Sequence, residues 1–354
     1  MSYQITIEPL GQTVEAEEGQ TILDACLRAG VWLPHACCHG LCATCKVQVL
    51  DGDFEHGAAS PFALMDFERE ERKALACCAT VQSDVTIEAE VDEDPDARHC
   101  PVRDYTGRVA ALVDLSPTIK GIHIELAGEG IEFQAGQYVQ VEIPGEDLPR
   151  AFSLASEPSQ RTRLELNVRR VPNGKGTTYL HEGLRVGDEL RFSGPLGRFF
   201  VRTSDPQPLI FMAGGSGLSS PRSMILDLLG QGETRDITLV YGARNRSELY
   251  YHEDFLALAA VQANFHYLPA LNEPTEACAW GGFKGFVHQA ASAHFSNDFR
   301  GHRAYLCGPP PMIEACIRTL MQGRLFERDI FTEKFLTSAD GASALARSPL
   351  FRSI

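Results

Sequence analysis

Apolar and polar residues alternate from Tyr3 to Glu8, with Ile5 and Ile7 on one face, and this period predicts a half-buried strand. Gln12 to Glu17 can return beside it as a hairpin around Gly11. Thr21 then caps a short helix carrying Ile22, Leu23, Ala25, Cys26 and Leu27, and Gly30 ends it. Further on the pattern predicts a strand from Lys46 to Leu50, a helical stretch around Phe62 to Leu75 and a last strand from Asp84 to Val91. Strands around one helix make a small β-grasp domain. The segment Asp92 to His99 is charged, proline-broken and without periodicity, so it reads as a linker.

From Arg103 to about Val201 the pattern becomes a succession of strands, among them Tyr138 to Ile143, Arg163 to Arg170 and Asp188 to Phe192. Gly and Pro between them imply an antiparallel barrel or sandwich. After Pro206 the texture changes again. Pro208 to Ala213 is a continuous apolar strand, a glycine-rich turn follows, and Ser220 to Leu229 reads as a helix. Further strands at Asp236 to Tyr241, Asn264 to Leu271 and His302 to Leu306, with helices between, predict a doubly wound parallel sheet. The expected fold class is multidomain, α+β and α/β, with domains at residues 1–95, 102–204 and 206–336 and a tail at 337–354.

Composition adds little to this plan: 44% hydrophobic and 22% charged residues are ordinary for a well-cored protein. Charge adds more. A formal net charge of −15 argues against a nucleic-acid partner, which would demand clustered Lys and Arg. The acidic runs Glu15 to Glu18, Glu68 to Glu71 and Glu88 to Asp96 suit either a solvated surface or docking to the basic face of a redox partner. The start of the chain lacks a basic segment followed by an apolar one, and no stretch reaches the length of a membrane span. A cytoplasmic protein with thiols reduced or metal-bound is expected, with no membrane partner.

Eleven cysteines carry the first chemistry. Cys37, Cys42, Cys45 and Cys77 stand in the order C-x4-C-x2-C followed by a distant C, the ligand spacing of a plant-type [2Fe–2S] cluster. The loop between them is short and rich in small residues, and Gly40 permits backbone that a side chain would forbid. A structural zinc site would need a second paired-ligand knuckle, for which Cys77-Cys78 is too tight. Cys38 and Cys78 adjoin two of the four; spacing favours Cys37 over Cys38.

In the barrel, Arg150-Ala151-Phe152-Ser153 puts an Arg and an aromatic on one face of a strand, with Ser153 pointing to the other face or brought round by a twist. Arg150 could pair with a pyrophosphate, Phe152 could lie along an isoalloxazine ring and Ser153 could touch its edge. Gly174, Gly176, Thr177 and Thr178 lie where a strand passes into a short helix able to hold phosphate, and Gly194 to Phe199 forms a later turn. Their order on one barrel points to FAD. Gly214, Gly215, Ser216 and Gly217 follow a buried strand and open a helix, the setting of a dinucleotide phosphate loop, although not in the G-x-G-x-x-G form. Arg244, with Arg246 and Ser247, follows the next strand and could contact a 2′-phosphate.

These residues resemble the ferredoxin–NADP reductase superfamily, through its Arg-x-Tyr/Phe-Ser signature and its Cys-Gly-Pro-Pro motif, here Cys307-Gly308-Pro309-Pro310. The resemblance implies that Cys307 positions the nicotinamide ring, with Gly308 and Pro309 beside it, and that Phe335 in Phe331-Thr332-Glu333-Lys334-Phe335 shields the flavin. For both Cys307 and Phe335 a plain core position is the alternative reading. Resemblance to ferredoxins favours Cys77, in Leu75-Ala76-Cys77, over Cys78. The order ferredoxin, flavin barrel, nicotinamide domain resembles the reductase components of bacterial multicomponent oxygenases. Within that family Ala59 to Asp66, Gly214 to Met224 and Phe331 to Ser338 are most similar to the phenol hydroxylase reductases. The resemblance implies NADH as donor and a diiron hydroxylase as acceptor. The reductase of another oxygenase system (toluene, benzoate, methane or alkene), a stand-alone NAD(P)H:acceptor reductase and a redox-responsive binding protein remain as alternatives.

Overall fold

The computed structural model describes residues 2–35, 38, 40–91, 94–146 and 148–335. Cys37 and the tail at 337–354 therefore lie outside the described residues. The chain divides into two compact units. One takes the residues up to Tyr105 with Glu132–Gln134 and Phe192–Arg198; the other takes Thr106–Ile131, Ala135–Arg191 and the residues from Phe199 onward.

The first unit is a β-grasp. Strands β1 (Ser2–Glu8) and β2 (Gln12–Glu17) form the expected hairpin, and helix α1 (Ile22–Arg28) starts at Thr21, whose hydroxyl accepts from the Asp24 N–H at 3.2 Å. β3 (Lys46–Asp51), β4 (Phe54–Glu55), α2 (Asp66–Glu70), β5 (Lys73–Leu75), β6 (Thr80–Val81) and β7 (Val85–Glu88) follow. The main sheet runs β2-β1-β7-β3-β5, and β4 pairs with β6 alone. Ile5, Ile7, Val47, Val49 and Ile87 supply its buried face, as alternation requires.

One expectation fails here. The helical stretch around Phe62 to Leu75 contracts to the five residues of α2, and Lys73–Leu75 is a strand paired with Lys46–Gln48. Arg72 takes a left-handed φ of +62° and breaks the helix, while Ala74 and Leu75 are worth more buried against β3. The short helix survives because the Glu68 carboxylate accepts from the Met65 N–H at 3.0 Å and from Lys46 Nζ at 2.6 Å. The described part of the expected linker is also tied down. Arg98 N–H donates to Gln134 Oε1 at 3.0 Å, and Gln134 Nε2 donates to the Asp96 carbonyl at 2.8 Å.

The middle of the chain forms a six-stranded sheet from β8 (Arg103–Asp114), β9 (Ile119–Glu125), β10 (Tyr138–Val141), β11 (Arg150–Ser153), β12 (Arg163–Arg169) and β13 (Glu189–Leu196), with helix α3 (Lys175–Thr178) after β12. Its order is β11-β10-β13-β8-β9-β12, and an antiparallel bridge from Leu154 to Leu166 brings the two ends together as a nearly closed barrel.

The last part alternates strand and helix: β14 (Leu209–Gly214), α4 (Ser219–Gly230), β15 (Ile237–Ala243), α5 (His252–Val261), β16 (Phe265–Leu271), β17 (Phe283–Lys284), α6 (Val287–His294), β18 (Arg303–Gly308), α7 (Pro310–Gln322) and β19 (Ile330–Lys334). The strands are parallel, in the order β17-β16-β15-β14-β18-β19. Every residue of β14 is buried. Its odd positions Leu209, Phe211 and Ala213 enter one core with Tyr241 and Tyr305, and Ile210 and Met212 enter another with Val240 and Ile313. A strand covered on both faces must be apolar at every position, which is why Pro208 to Ala213 reads as one run. Among the described residues no helix is long and apolar enough to cross a membrane.

Candidate functional site

Strand order reverses beside β14: β15 lies on one side and β18 on the other. In a doubly wound sheet this reversal opens a crevice at the carboxyl ends of the strands, where ligands bind. Two loops reach it. β14 leaves through a 3₁₀ turn, Gly215–Leu218, into α4, and β18 leaves through Cys307, Gly308 and Pro309 into α7. Gly215 has φ +56°, a Cβ on Gly214 would stand 2.5 Å from Met312 Sδ, and one on Gly217 would collide with the Cys307 carbonyl oxygen. The two loops can approach this closely only without side chains. With Ser216 among them, the turn exposes backbone rather than bulky side chains, a surface that a diphosphate could approach.

Four side chains from distant parts of the second unit converge beside these loops. Glu333 Oε2, from β19, accepts from Ser153 Oγ at 3.2 Å, Ser220 Oγ at 2.6 Å and Cys307 Sγ at 3.3 Å. Glu333 is only partly buried as a residue, but its carboxyl group turns inward. Burial pushes its pKa up, and the donors from Ser220, Cys307 and Ser153 pull against that shift. Cys307 is fully buried, and burial, then the Glu333 carboxyl, raise its thiol well above the ordinary range. This thiol is no nucleophile at neutral pH. Sequence reasoning found Ser153 and Cys307 here and missed Glu333 and Ser220; the only signal was that both fell inside segments already singled out. Phe335 stands next door. Its N–H donates to the Gly308 carbonyl at 3.0 Å, and its half-buried ring packs against the core that holds Tyr305 and Cys307.

On the barrel, Arg150 donates to Glu146 at 3.1 Å, and Lys175 at the start of α3 meets the same carboxylate at 2.9 Å. Lys175 first, and Arg150 with it, hold the Glu146 carboxyl below its usual range. Two cations thus gather around one carboxylate, and both are donors of the kind a flavin dinucleotide's diphosphate would take. Phe152 is half-buried on the same strand. Gly176 lets α3 lie on Arg150, since a Cβ there would stand 3.2 Å from Arg150 Cγ. Thr177 Oγ1 accepts from the Val171 N–H at 3.1 Å and donates to the Gly174 carbonyl at 3.2 Å, while the Thr178 N–H donates to the same carbonyl at 2.9 Å. Thr177 thus shapes this turn from within. Another cation went unnoticed in the sequence: Arg169 Nη1 lies 3.5 Å from where a Gly215 Cβ would be. Arg244 follows β15 and faces Glu248 at 3.6 Å.

In the first unit, β3 and β5 bring Cys45 and Cys77 together: the Ala76 N–H donates to the Cys45 carbonyl at 2.9 Å, and a hydrogen bond to Cys77, followed by burial, raises the Cys45 thiol. Cys42 is exposed, and Cys77 Sγ lies 3.6 Å from Cys78 Sγ. Gly40 has φ +73°, and a Cβ on it would come within 2.7 Å of Cys78 Sγ. Cys42, Cys45 and Cys77 are thiols of the kind an iron–sulfur cluster takes as ligands, and Gly40 keeps the backbone beside them clear of a Cβ. The fourth thiol of the expected set, Cys37, lies outside the described residues.

Fold and site together define a class, the pyridine-nucleotide-linked iron–sulfur flavoprotein reductases. The chain matches the 2Fe-2S iron-sulfur cluster binding domain over residues 5–82, the oxidoreductase FAD-binding domain over 107–201 and the oxidoreductase NAD-binding domain over 211–318. It is 62% identical over 354 residues to the phenol 2-monooxygenase reductase component DmpP of Pseudomonas sp. (strain CF600), covering 100% of both chains. To the phenol hydroxylase P5 protein of Acinetobacter pittii (strain PHEA-2) it is 59% identical, again over 100% of both. The crystal structure of the Amycolatopsis reductase GcoB superposes with a TM-score of 0.85 at 34% identity, covering 94% of this chain and 98% of that one. The chain belongs to the family of oxygenase reductase components that join these three domains.

Proposed function

We propose that the chain takes electrons from NADH and delivers them, through FAD and a [2Fe–2S] cluster, to the diiron oxygenase component of a phenol or related aromatic hydroxylase in the cytoplasm. The observation that carries the nicotinamide half is the convergence of Ser153, Ser220 and Cys307 on Glu333 at the switch point of the sheet. The likeness to two phenol-oxidising systems over the full chain supports the acceptor. NADH is a two-electron donor and the cluster a one-electron carrier, and the bound flavin supplies the exchange between them.

The chain's own residues do the rest. The turn of Gly214, Gly215, Ser216 and Gly217 receives the dinucleotide's diphosphate, and Gly308 and Pro309 bound the nicotinamide side of the crevice. Cys307, kept neutral by burial, offers the ring a soft surface without a charge. Ser153 donates a hydrogen bond to Glu333 Oε2, so it ties the barrel strand that would face the flavin edge to that carboxyl and fixes its orientation. Phe335 keeps water from that edge. Arg150, Gly174, Gly176, Thr177 and Thr178 hold the flavin's phosphates, Phe152 lies along its ring, and Cys37, Cys42, Cys45 and Cys77 hold the cluster.

Anaerobic titration of the loaded protein with NADH is expected to bleach the flavin band and to produce the paramagnetic signal of a reduced [2Fe–2S] cluster. Cys42→Ser is expected to abolish transfer to cluster-dependent acceptors while flavin reduction persists. Acceptor reduction that survives in this variant would remove the cluster from the path. Reconstitution with a phenol hydroxylase oxygenase then tests the partner.

A further inference from the structure

The residues after β15 carry the choice of nicotinamide dinucleotide. In a doubly wound sheet the end of this strand meets the ribose that bears the 2′-hydroxyl of NAD or the 2′-phosphate of NADP, and a free Arg there accommodates the phosphate. Arg244 occupies that position directly after Ala243, half exposed. Its guanidinium is not free. Nη2 faces Glu248 Oε1 at 3.6 Å, and the Glu248 side chain is only 12% exposed.

Glu248 cannot swing away to make room. Its other oxygen, Oε2, accepts from Ser116 Oγ at 2.9 Å and from Thr118 Oγ1 at 2.6 Å, both on the turn between β8 and β9. Its backbone is pinned as well, since the Glu248 N–H donates to Asn245 Oδ1 at 3.3 Å. The carboxylate is therefore fixed at both ends beside the arginine that directly follows the strand. A 2′-phosphate drawn to Arg244 would meet a charge of its own sign that cannot leave, whereas a neutral 2′-hydroxyl would not. Arg246 is different. Its contact with Glu253, at 3.4 Å, joins side chains 50% and 77% exposed, and such a pair imposes little.

We infer that Glu248, locked by Ser116 and Thr118, neutralises Arg244 and sets the preference for NADH over NADPH. The inference rests on the reading of NADH as donor and names the residue that enforces it.

The test measures binding of NAD⁺ and NADP⁺ to the oxidised, fully loaded protein, together with the ratio of kcat/KM for NADH and NADPH. Glu248→Gln keeps the shape and removes the charge. It is expected to tighten NADP⁺ binding about tenfold and to move the kcat/KM ratio toward NADPH by a similar factor. Adding Arg244→Ala to that variant should return NADP⁺ affinity to the wild-type value, and Glu253→Gln should leave the ratio alone. A change in NADP⁺ affinity below about threefold in Glu248→Gln, or a gain that persists without Arg244, overturns the inference. Should Glu248→Gln lose its flavin, Arg244→Ala in the wild-type background decides: a neutralised arginine predicts an unaltered ratio, and a collapse of NADPH use refutes it. A wild-type protein indifferent between the two donors would instead bring down the NADH reading itself.

Discussion

Glu333 carries a carboxyl group on which burial and three donors act in opposite directions, and burial prevails. The native protein thus binds this proton more tightly than the unfolded chain does. Stability then falls as pH rises from the ordinary carboxyl range, about 4 to 5, through the raised native value, and levels off above it. Glu333→Gln retains an acceptor oxygen and has nothing to ionise. Its thermal midpoint relative to wild type is expected to be higher at pH 8 than at pH 5, as read by thermal unfolding. An advantage that does not grow with pH would mean that the group ionises freely. Local sequence could not reveal this residue. Its partners lie 180, 113 and 26 positions away. Ser153 and Cys307 are legible because each sits in a motif whose shape is local; Glu333 meets them only through strand pairing, and the sequence beside it offers the aromatic Phe335 instead.

Among the elements, most strands and helices with a clear period were legible within a residue or two, from the Thr21 cap to the buried run of β14, while β13 runs four residues past the expected Phe192 and β7 stops three short of the expected Val91. The stretch from Phe62 to Leu75 was not, because Lys73–Leu75 takes its structure from a partner strand some 25 residues earlier. A three-residue strand has no periodicity of its own. The glycine turn shows the converse, a local signal with a distant cause. Gly217 is required by the Cys307 carbonyl on the neighbouring strand. Gly217→Ala is expected to force β14 and β18 apart at their carboxyl ends, to cost about 1 to 3 kcal/mol in unfolding free energy and to weaken dinucleotide binding. Denaturant unfolding and NAD⁺ titration check the two effects. Full stability with unimpaired binding would show that the loops have slack.

Across the second unit, barrel and nucleotide domain are held by a buried network. Arg222 Nη1 donates to Glu165 Oε2 at 3.1 Å, the Tyr251 hydroxyl donates to Glu165 Oε1, and the Arg222 guanidinium lies 4.3 Å from the centre of the Tyr251 ring. Ser223 Oγ reaches the Ser156 carbonyl at 2.6 Å beside it. Arg222→Ala would leave Glu165, 8% exposed, with its charge unmatched, and is expected to cost roughly 3 to 5 kcal/mol. Replacing Arg222 and Glu165 together by leucine should cost less than the single change. Calorimetry of the loaded protein distinguishes the two; equal losses would argue that packing, not charge, joins these parts. This joint was invisible in the sequence, where Arg222 is one charge on a helix and Glu165 one acid on a strand.

The central place of β14 bears on how long the nucleotide site persists. A strand buried on both faces, with a parallel neighbour on each side, can release its amide protons only when the whole unit opens. Phe211 and Met212 should therefore be among the last amides to exchange with deuterated solvent. The turn at Gly214 to Gly217 is mounted directly on that strand, so the loop proposed to receive the dinucleotide is anchored to a part of the unit expected to open last, and it is expected to keep its shape between turnovers without a ligand to hold it.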